Sequence, residues 1–510
     1  MAADSTTPKS KRTQLTNRPK LMLATGTDSQ RPKTRATPAG KTGTEPRRDN
    51  QKRPYRSSQT RPTPATVPKA QRLARRSSKP EKKRVATPRQ VCFEILVDVA
   101  EGAQLDAAMN VNKNLGDLDD RDRRFVQLLA ATCLRRRGQL EKTIAPLMVR
   151  RPFGAQENAN IILVMGAAQL LILNTEAHAA VDSTVELMRQ AGFDRLTGMA
   201  NAVMRRLTRE GEARFGTTKP TDNLPEWLKT SWHATYGPDA TELLMSLSME
   251  IPPLDITPKS TPKIWADRLQ GRVINNVSIR REFDGDLTQL DGFANGDWWV
   301  QDAAAALPAT LLGNITGKHV IDLCAAPGGK TAQLIVAGAK VTAIDNGRKR
   351  IDRLRRNLKR LKLGANIVYA DGRTYQPKES VDHILLDAPC SATGTLRRRP
   401  DILCRRTAGD ISALQEVQWD LATTALGWLK PGGTMIYATC SLQPEEGEEM
   451  IAAILTRAEG SFVLDPITPE QAGIFAPSIT EEGTIRIIPN DYDAIGGVDG
   501  FYIARLKSAK

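Results

Sequence analysis

From Lys318 onward, apolar runs of strand length alternate with stretches of helical periodicity, and few folds accommodate that alternation. Strands joined through helices run parallel, so the pattern predicts an α/β fold built on a parallel, doubly wound, Rossmann-like sheet. The expected strands are His319-Val-Ile-Asp-Leu-Cys, Val341 to Asp345, Asn366 to Asp371, one ending at Asp387 and one ending at Cys440. A strongly basic helix, Arg348 to Lys362, falls between the second and third. A terminal hairpin, Thr484-Ile-Arg-Ile-Ile and Gly500-Phe-Tyr-Ile-Ala-Arg, is expected to close the sheet. In such folds ligands bind beyond the carboxyl ends of the strands.

Two cysteines fall at that edge: Cys390 in Asp387-Ala-Pro-Cys-Ser and Cys440 in Thr439-Cys-Ser. Burial as small apolar side chains is the commoner fate of cysteine. A strand end, a preceding Pro or Thr and a following Ser point instead to covalent chemistry. The turn after the first strand, Cys324-Ala325-Ala326-Pro327-Gly328-Gly329-Lys330-Thr331, superficially matches a phosphate-binding loop. That loop requires glycine where Cys324 stands, and a Gly-x-Gly-x-x-Gly dinucleotide fingerprint is absent. What remains is a glycine-rich turn with Asp345, 21 positions beyond Cys324, where a carboxylate holds ribose hydroxyls. An adenosine cofactor without pyrophosphate suits this pattern. S-adenosylmethionine fits, with Asp371 at the third strand placed for the adenine amine.

Carbon 5 of a pyrimidine is a poor nucleophile, and a thiolate adding to carbon 6 converts the ring into an enamine that can accept a methyl group. A base must then remove the carbon 5 proton so that the thiolate leaves. Asp387 is placed to share or donate a proton at ring nitrogen 3. The two thiols then divide the work of attack and product release, and the residues alone do not say which does which.

The rest of the chain places this catalytic unit, residues 315–510, behind three others. Of the formal charge of +16, residues 1–85 hold 23 Lys/Arg against 5 Asp/Glu, a net of +18, so the remainder carries −2. The basic character belongs to a Pro/Thr/Ser/Lys/Arg-rich tail, residues 1–86, expected to be disordered and to bind polyanions weakly by counterion release. A solubilising extension or an Arg-rich transit peptide are alternative readings of it. Residues 87–212 carry helical spacing, as in Val91, Ile95, Leu96, Val99 and Phe125, Leu128, Leu129, Cys133. Residues 218–314 mix a helix opening at Leu224-Pro-Glu-Trp with a strand at Arg272-Val-Ile-Asn-Asn-Val-Ser-Ile, and predict a small α+β module. Six cysteines without a Cys-x-x-Cys and four scattered histidines offer no metal site at usual spacings, so no metal is expected. The apolar stretch Ile161 to Leu173 is too short to span a bilayer. A soluble, cytoplasmic protein without membrane contact is expected.

Cys324-Ala-Ala-Pro-Gly-Gly-Lys-Thr, Asp387-Ala-Pro-Cys-Ser-Ala-Thr-Gly, Arg398-Arg-Pro-Asp and Thr439-Cys-Ser-Leu-Gln-Pro-Glu-Glu-Gly-Glu resemble the ribosomal RNA cytosine-5 methyltransferases of the NOL1/NOP2/Sun family. Asp122-Arg-Arg-Phe, Ala177-His-Ala-Ala-Val and Gly198-Met-Ala-Asn-Ala-Val-Met-Arg-Arg resemble the NusB-like RNA-binding domain fused to the small-subunit members. The resemblance covers about residues 88–510. It implies a monomer acting on small-subunit (16S-type) ribosomal RNA, with Cys440 as nucleophile and Cys390 assisting release. It further implies cofactor binding by Cys324, Ala325, Ala326, Pro327, Gly328, Gly329, Lys330, Asp345, Asp371 and Asp387, with Lys330 orienting Asp387. After Pro400-Asp-Ile this chain has Leu403-Cys404 where the family usually has Lys-Trp. An amino-directed methyltransferase would carry Asn/Asp-Pro-Pro-Tyr in place of Asp387-Ala-Pro-Cys and need no thiol. A non-catalytic RNA-binding factor would leave both cysteines and the cofactor loop unexplained.

Overall fold

The computed structural model describes residues 86–283 and 285–509; the basic tail lies outside them. The first helix, Pro88–Ala100, starts with a proline where no N–H is needed, and the Thr87 hydroxyl accepts from Gln90 N at 3.3 Å. Helices Asp120–Arg135, Ala159–Leu171, Ala177–Gln190 and Thr197–Phe215 follow and share one core with it. Ala159–Leu171 is apolar nearly all round and accordingly buried, with Gln169 accepting from Arg89 Nε at 2.6 Å. In Asp120–Arg135 the buried stripe is Val126, Leu129, Ala130 and Cys133, so Leu128, expected within it, faces solvent. No helix among the described residues is long and apolar enough to cross a membrane.

Two helices, Glu226–Tyr236 and Pro238–Ser248, lead into a four-stranded antiparallel sheet. Its strands are β1 (Leu254–Pro258), β2 (Arg272–Val273), β3 (Ile279–Arg281) and β4 (Trp298–Val300), in the order β2-β3-β1-β4. The stretch from Arg272, expected as one strand, is a hairpin. Asn275 Oδ1 accepts from Val277 N at 2.9 Å and Ser278 N at 2.7 Å, an Asx turn that breaks the extended run. Arg280 and Asp255 form a buried ion pair across β3 and β1, with Arg280 also donating to the carbonyls of Ile495 and Gly497 near the carboxy terminus.

The second sheet comprises β5 (His319–Leu323), β6 (Lys340–Asp345), β7 (Asn366–Tyr369), β8 (Val381–Asp387), β9 (Leu429–Thr439), β10 (Phe462–Leu464), β11 (Ile485–Ile487) and β12 (Phe501–Ser508). Its order is β10-β12-β9-β8-β5-β6-β7, with β11 paired to β12. Strands β5 to β9 are parallel, as the alternation demands. The sheet as a whole is mixed, because β12 inserts antiparallel beside β9, and β10 and β11 pair antiparallel with β12. From β5 the chain moves outward to β6 and β7, then returns to the other side with β8 and β9. That reversal opens a crevice at the carboxyl ends of β5 and β8.

Candidate active site

The crevice is a cavity of about 710 Å³, within the usual range for a small-molecule site. Cys324, Ala326, Pro327, Asp345, Asp371, Asp387, Cys390 and Cys440 all line it. Ala325 is instead buried in the core beside Ala332 and Leu354. Gly328 has φ 105°, open to glycine at little cost, and a Cβ there would run into Leu354; it turns the chain into the helix Gly329–Val336. The turn begins at Cys324, whose φ of 63° is rare for a non-glycine residue and marks a constrained loop.

Strand ends deliver the acids. Asp345, the last residue of β6, accepts from Gly347 N at 2.8 Å and Arg350 Nε at 2.9 Å on Oδ1, and from Ala326 N at 3.3 Å on Oδ2. It therefore fastens the Cys324–Lys330 turn to the second strand. Asp371 lies two residues beyond β7, which ends earlier than expected, and pairs with Arg373 at 2.6 Å. That hydrogen-bonded guanidinium holds its carboxyl below the usual range. Asp387 ends β8 and receives Lys330 Nζ at 2.7 Å, with Lys330 10 % and Asp387 35 % exposed. Burial works against the Lys330 charge, but adjacent Asp387 more than offsets it and the ammonium is held above its ordinary value.

Cys440 directly follows β9 and Cys390 lies three residues after β8, so neighbouring parallel strands bring the sulfurs to 3.5 Å. The Cys390 thiol is pushed up, first by its hydrogen bond to Cys440, then by burial, then by the charges of Cys440 and Glu446. Either sulfur can donate in this contact. Cys324 is also held as a neutral thiol, by burial and then by Asp345 and Asp387.

Other elements complete the site, and sequence reasoning missed most of them. Arg350, Arg353, Arg373, Arg398, Arg399 and Arg406 line the cavity. Arg350 and Arg353 belong to the basic helix, now Arg348–Arg360, and Arg398 and Arg399 to a quoted motif, so their charge was visible but not their convergence. Arg398 is held by Asp302 at 2.8 Å and Asp499 at 3.2 Å. Gln104, Leu105 and Asp106, from the helical region, form part of the same wall. Arg135 Nη2 donates to Arg397 O at 2.9 Å and Arg405 Nε to Gly102 O at 2.9 Å, which ties that region to the cavity rim. Leu403 and Cys404 face inward there: Leu403 packs with Leu224, Leu228 and Trp232, and Cys404 against the helical core. Trp232 Nε1 donates to Gln443 Oε1 at 2.7 Å and Tyr236 Oη to Leu442 O, bracing the segment after Cys440.

Residues 309–507 match the family described as 16S rRNA methyltransferase RsmB/F, and residues 86–209 match the NusB family. Ribosomal RNA small subunit methyltransferase B of Salmonella arizonae is 34 % identical over 405 residues, covering 76 % of this chain and 91 % of the relative. The chain belongs to the ribosomal RNA small subunit methyltransferase B family. The same-named protein of Enterobacter sp. strain 638 is also 34 % identical, over 407 residues. The crystal structure of PH0851 shares the fold, with a TM-score of 0.68 at 21 % identity, over 84 % of this chain and all of that one. As a member of this family the protein is an S-adenosylmethionine-dependent ribosomal RNA methyltransferase with a NusB-type helical domain. The cavity suits that donor: its volume admits a nucleoside, and Leu323, Ile344 and Leu421 supply apolar wall beside Asp345, Asp371 and Asp387.

Proposed function

We propose that the protein methylates carbon 5 of a cytidine in small-subunit ribosomal RNA through a covalent bond between a cysteine and carbon 6. The observation that carries this reading is the thiol pair, 3.5 Å apart and sharing one cavity with Asp387, which Lys330 holds by an ion pair. Methylation of an exocyclic amine needs no thiol, let alone two.

S-adenosylmethionine supplies an electrophilic methyl group on a sulfonium. The turn from Cys324 to Lys330, with Asp345, Asp371 and Asp387, would hold it, Asp345 at the ribose hydroxyls and Asp371 at the adenine amine. Cys440 adds to carbon 6; the S–C bond forms as the carbon 5–carbon 6 π electrons move into the ring, and Asp387 shares a proton at nitrogen 3. Lys330 keeps Asp387 oriented. Carbon 5, now enamine-like, takes up the methyl group. Cys390, next to the sulfur that must leave, assists the last step: the carbon 5 proton passes to solvent water, the double bond re-forms, and the C–S bond breaks with its electrons returning to Cys440, to whose departing thiolate the Cys390 thiol can donate. The order of the two thiols in this reading follows the family resemblance, in which the Thr-Cys-Ser cysteine attacks and the Pro-Cys cysteine assists release.

Residues 87–212 and 218–314 are the RNA-binding portions in this reading, and the enzyme works as a cytoplasmic monomer. Bisulfite sequencing of ribosomal RNA from cells with and without the gene tests it. One cytidine in the small-subunit RNA should lose its protection. A methyl group missing from a base amine, with every protected cytidine retained, would favour the amino-directed alternative.

A further inference from the structure

Glu446 is fully buried, and its carboxylate receives four hydrogen bonds. Ser391 N donates to Oε1 at 2.9 Å and Gln418 Nε2 to the same oxygen at 3.0 Å. Ser391 Oγ and Ser441 Oγ each donate to Oε2 at 2.5 Å. A carboxylate offers about four acceptor positions, so these donors fill it. The two serines are the residues directly after Cys390 and Cys440, on segments 50 positions apart in the chain.

The residue is itself immobilised. Its carbonyl accepts from Tyr437 Oη at 3.1 Å and Thr439 Oγ1 at 3.3 Å, which fixes it to β9. The same cluster extends outward: Gln443 N donates to Ser441 Oγ at 3.0 Å and Leu442 N to Thr393 Oγ1 at 3.0 Å. Neighbouring parallel strands bring the two turns close, and backbone bonds from Ala388 N to Ala438 O at 2.8 Å and from Gly394 N to Cys440 O at 3.0 Å flank the thiols, but neither reaches Cys390 or the serine that follows it. Within these loops a single side chain binds both Cys-Ser pairs. A buried carboxylate is costly unless its acceptors are met, so any slip of one loop against the other breaks short hydrogen bonds that water cannot replace.

We propose that Glu446 is a positioning residue for the thiol pair: by gripping Ser391 and Ser441 it sets the register of the two cysteine-bearing loops and with it the 3.5 Å separation of the sulfurs. Glu446 reaches the reaction only through those serines. Its role in catalysis rests on the reading of Cys440 and Cys390 as the reacting pair.

Diamide oxidation of the full-length protein, without RNA or cofactor, measures the separation independently of that reading. Diamide takes up one hydrogen from each thiol as the S–S bond forms, and peptide mapping counts the Cys390–Cys440 cross-link against time. Glu446→Ala removes the acceptor. Glu446→Gln keeps the volume but sets an amide donor against the hydroxyls, and serves where the alanine variant does not fold. Cross-linking is expected to slow by at least about tenfold, and kcat for methylation to fall by about 10²-fold with KM for RNA within about twofold of wild type. Loss of a general fold support would lower the melting temperature without that split between kcat and KM. Cross-linking at the wild-type rate in the folded variants overturns the positioning role whatever the activity. Slow cross-linking with kcat unchanged leaves the grip of Glu446 on the thiols in place and overturns the thiol chemistry, so the two failures are told apart.

Discussion

Replacing Cys390 by alanine separates attack from release. The Cys390 sulfur is 3.5 Å from that of Cys440, close enough to serve as a weak S–H donor to the proposed nucleophile. Hydrogen bonds to charged groups contribute about 1.5–3 kcal/mol, and a thiol donor belongs at the lower end, which corresponds to roughly tenfold in rate. Attack and methyl transfer in a single turnover should therefore stay within about tenfold of wild type in Cys390→Ala. Release loses a group positioned for proton transfer, an effect of about 10²–10⁴-fold. The larger loss falls on the later step, so enzyme accumulates as a covalent adduct. End-labelled RNA mixed with the variant and cofactor, quenched in detergent and run on a denaturing gel, should show a retarded protein–RNA band carrying the methyl group. Cys440→Ala should form no band, and the double variant none. A band from Cys440→Ala but not from Cys390→Ala would reverse the assignment; no band from either single variant, with methylation retained, would refute the covalent mechanism.

Asp345→Ala should weaken S-adenosylmethionine binding by about 10²-fold through lost charged hydrogen bonds, with RNA affinity unchanged by calorimetry. Arg350→Ala is the companion: Arg350 is 59 % exposed, so its pairing with Asp345 is worth little, and cofactor affinity should stay within about threefold or rise as the carboxylate is freed. Asp322 is fully buried in β5 with Oδ1 unpartnered, and burial pushes it up from 3.8 to about 7 although Thr331 donates to Oδ2 at 2.5 Å. Between those values the folded state keeps a proton that the unfolded chain has lost, so its contribution is fully present below about pH 4 and lost as pH rises through 7. Urea titrations should show Asp322→Asn flattening a decline on the order of 4 kcal/mol across that window; parallel curves for both proteins would exclude Asp322 as its source. Deleting residues 1–85 removes a net charge of +18, so nonspecific RNA affinity and its salt slope should fall while turnover at saturating RNA persists. Loss of the maximal rate would make the tail part of the catalytic machinery.

The sequence by itself determined the parallel core. Strands β5, β6, β8 and β9 start or end within a residue or two of where apolar runs meet Asp345, Asp387 and Cys440, because central strands of a parallel sheet are buried on both faces and show as unbroken apolar runs. It also placed both thiols and three acids at strand ends, since topology assigns carboxyl ends to one edge. Local patterns were silent on what depends on neighbours distant in the chain. The antiparallel insertion of β12 beside β9 and the short β10 come from pairings across the sheet, and the hairpin at Asn275 from a side chain substituting for backbone. The arginines of the cavity wall carry charge in any reading, but only folding gathers helix Arg348–Arg360, the Arg398 loop and Arg406 around one space. The same holds for the closeness of the thiols: nothing within either Cys-Ser pair predicts a 3.5 Å contact, and Glu446, which only the packed loops bring to both, joins the serines that follow them.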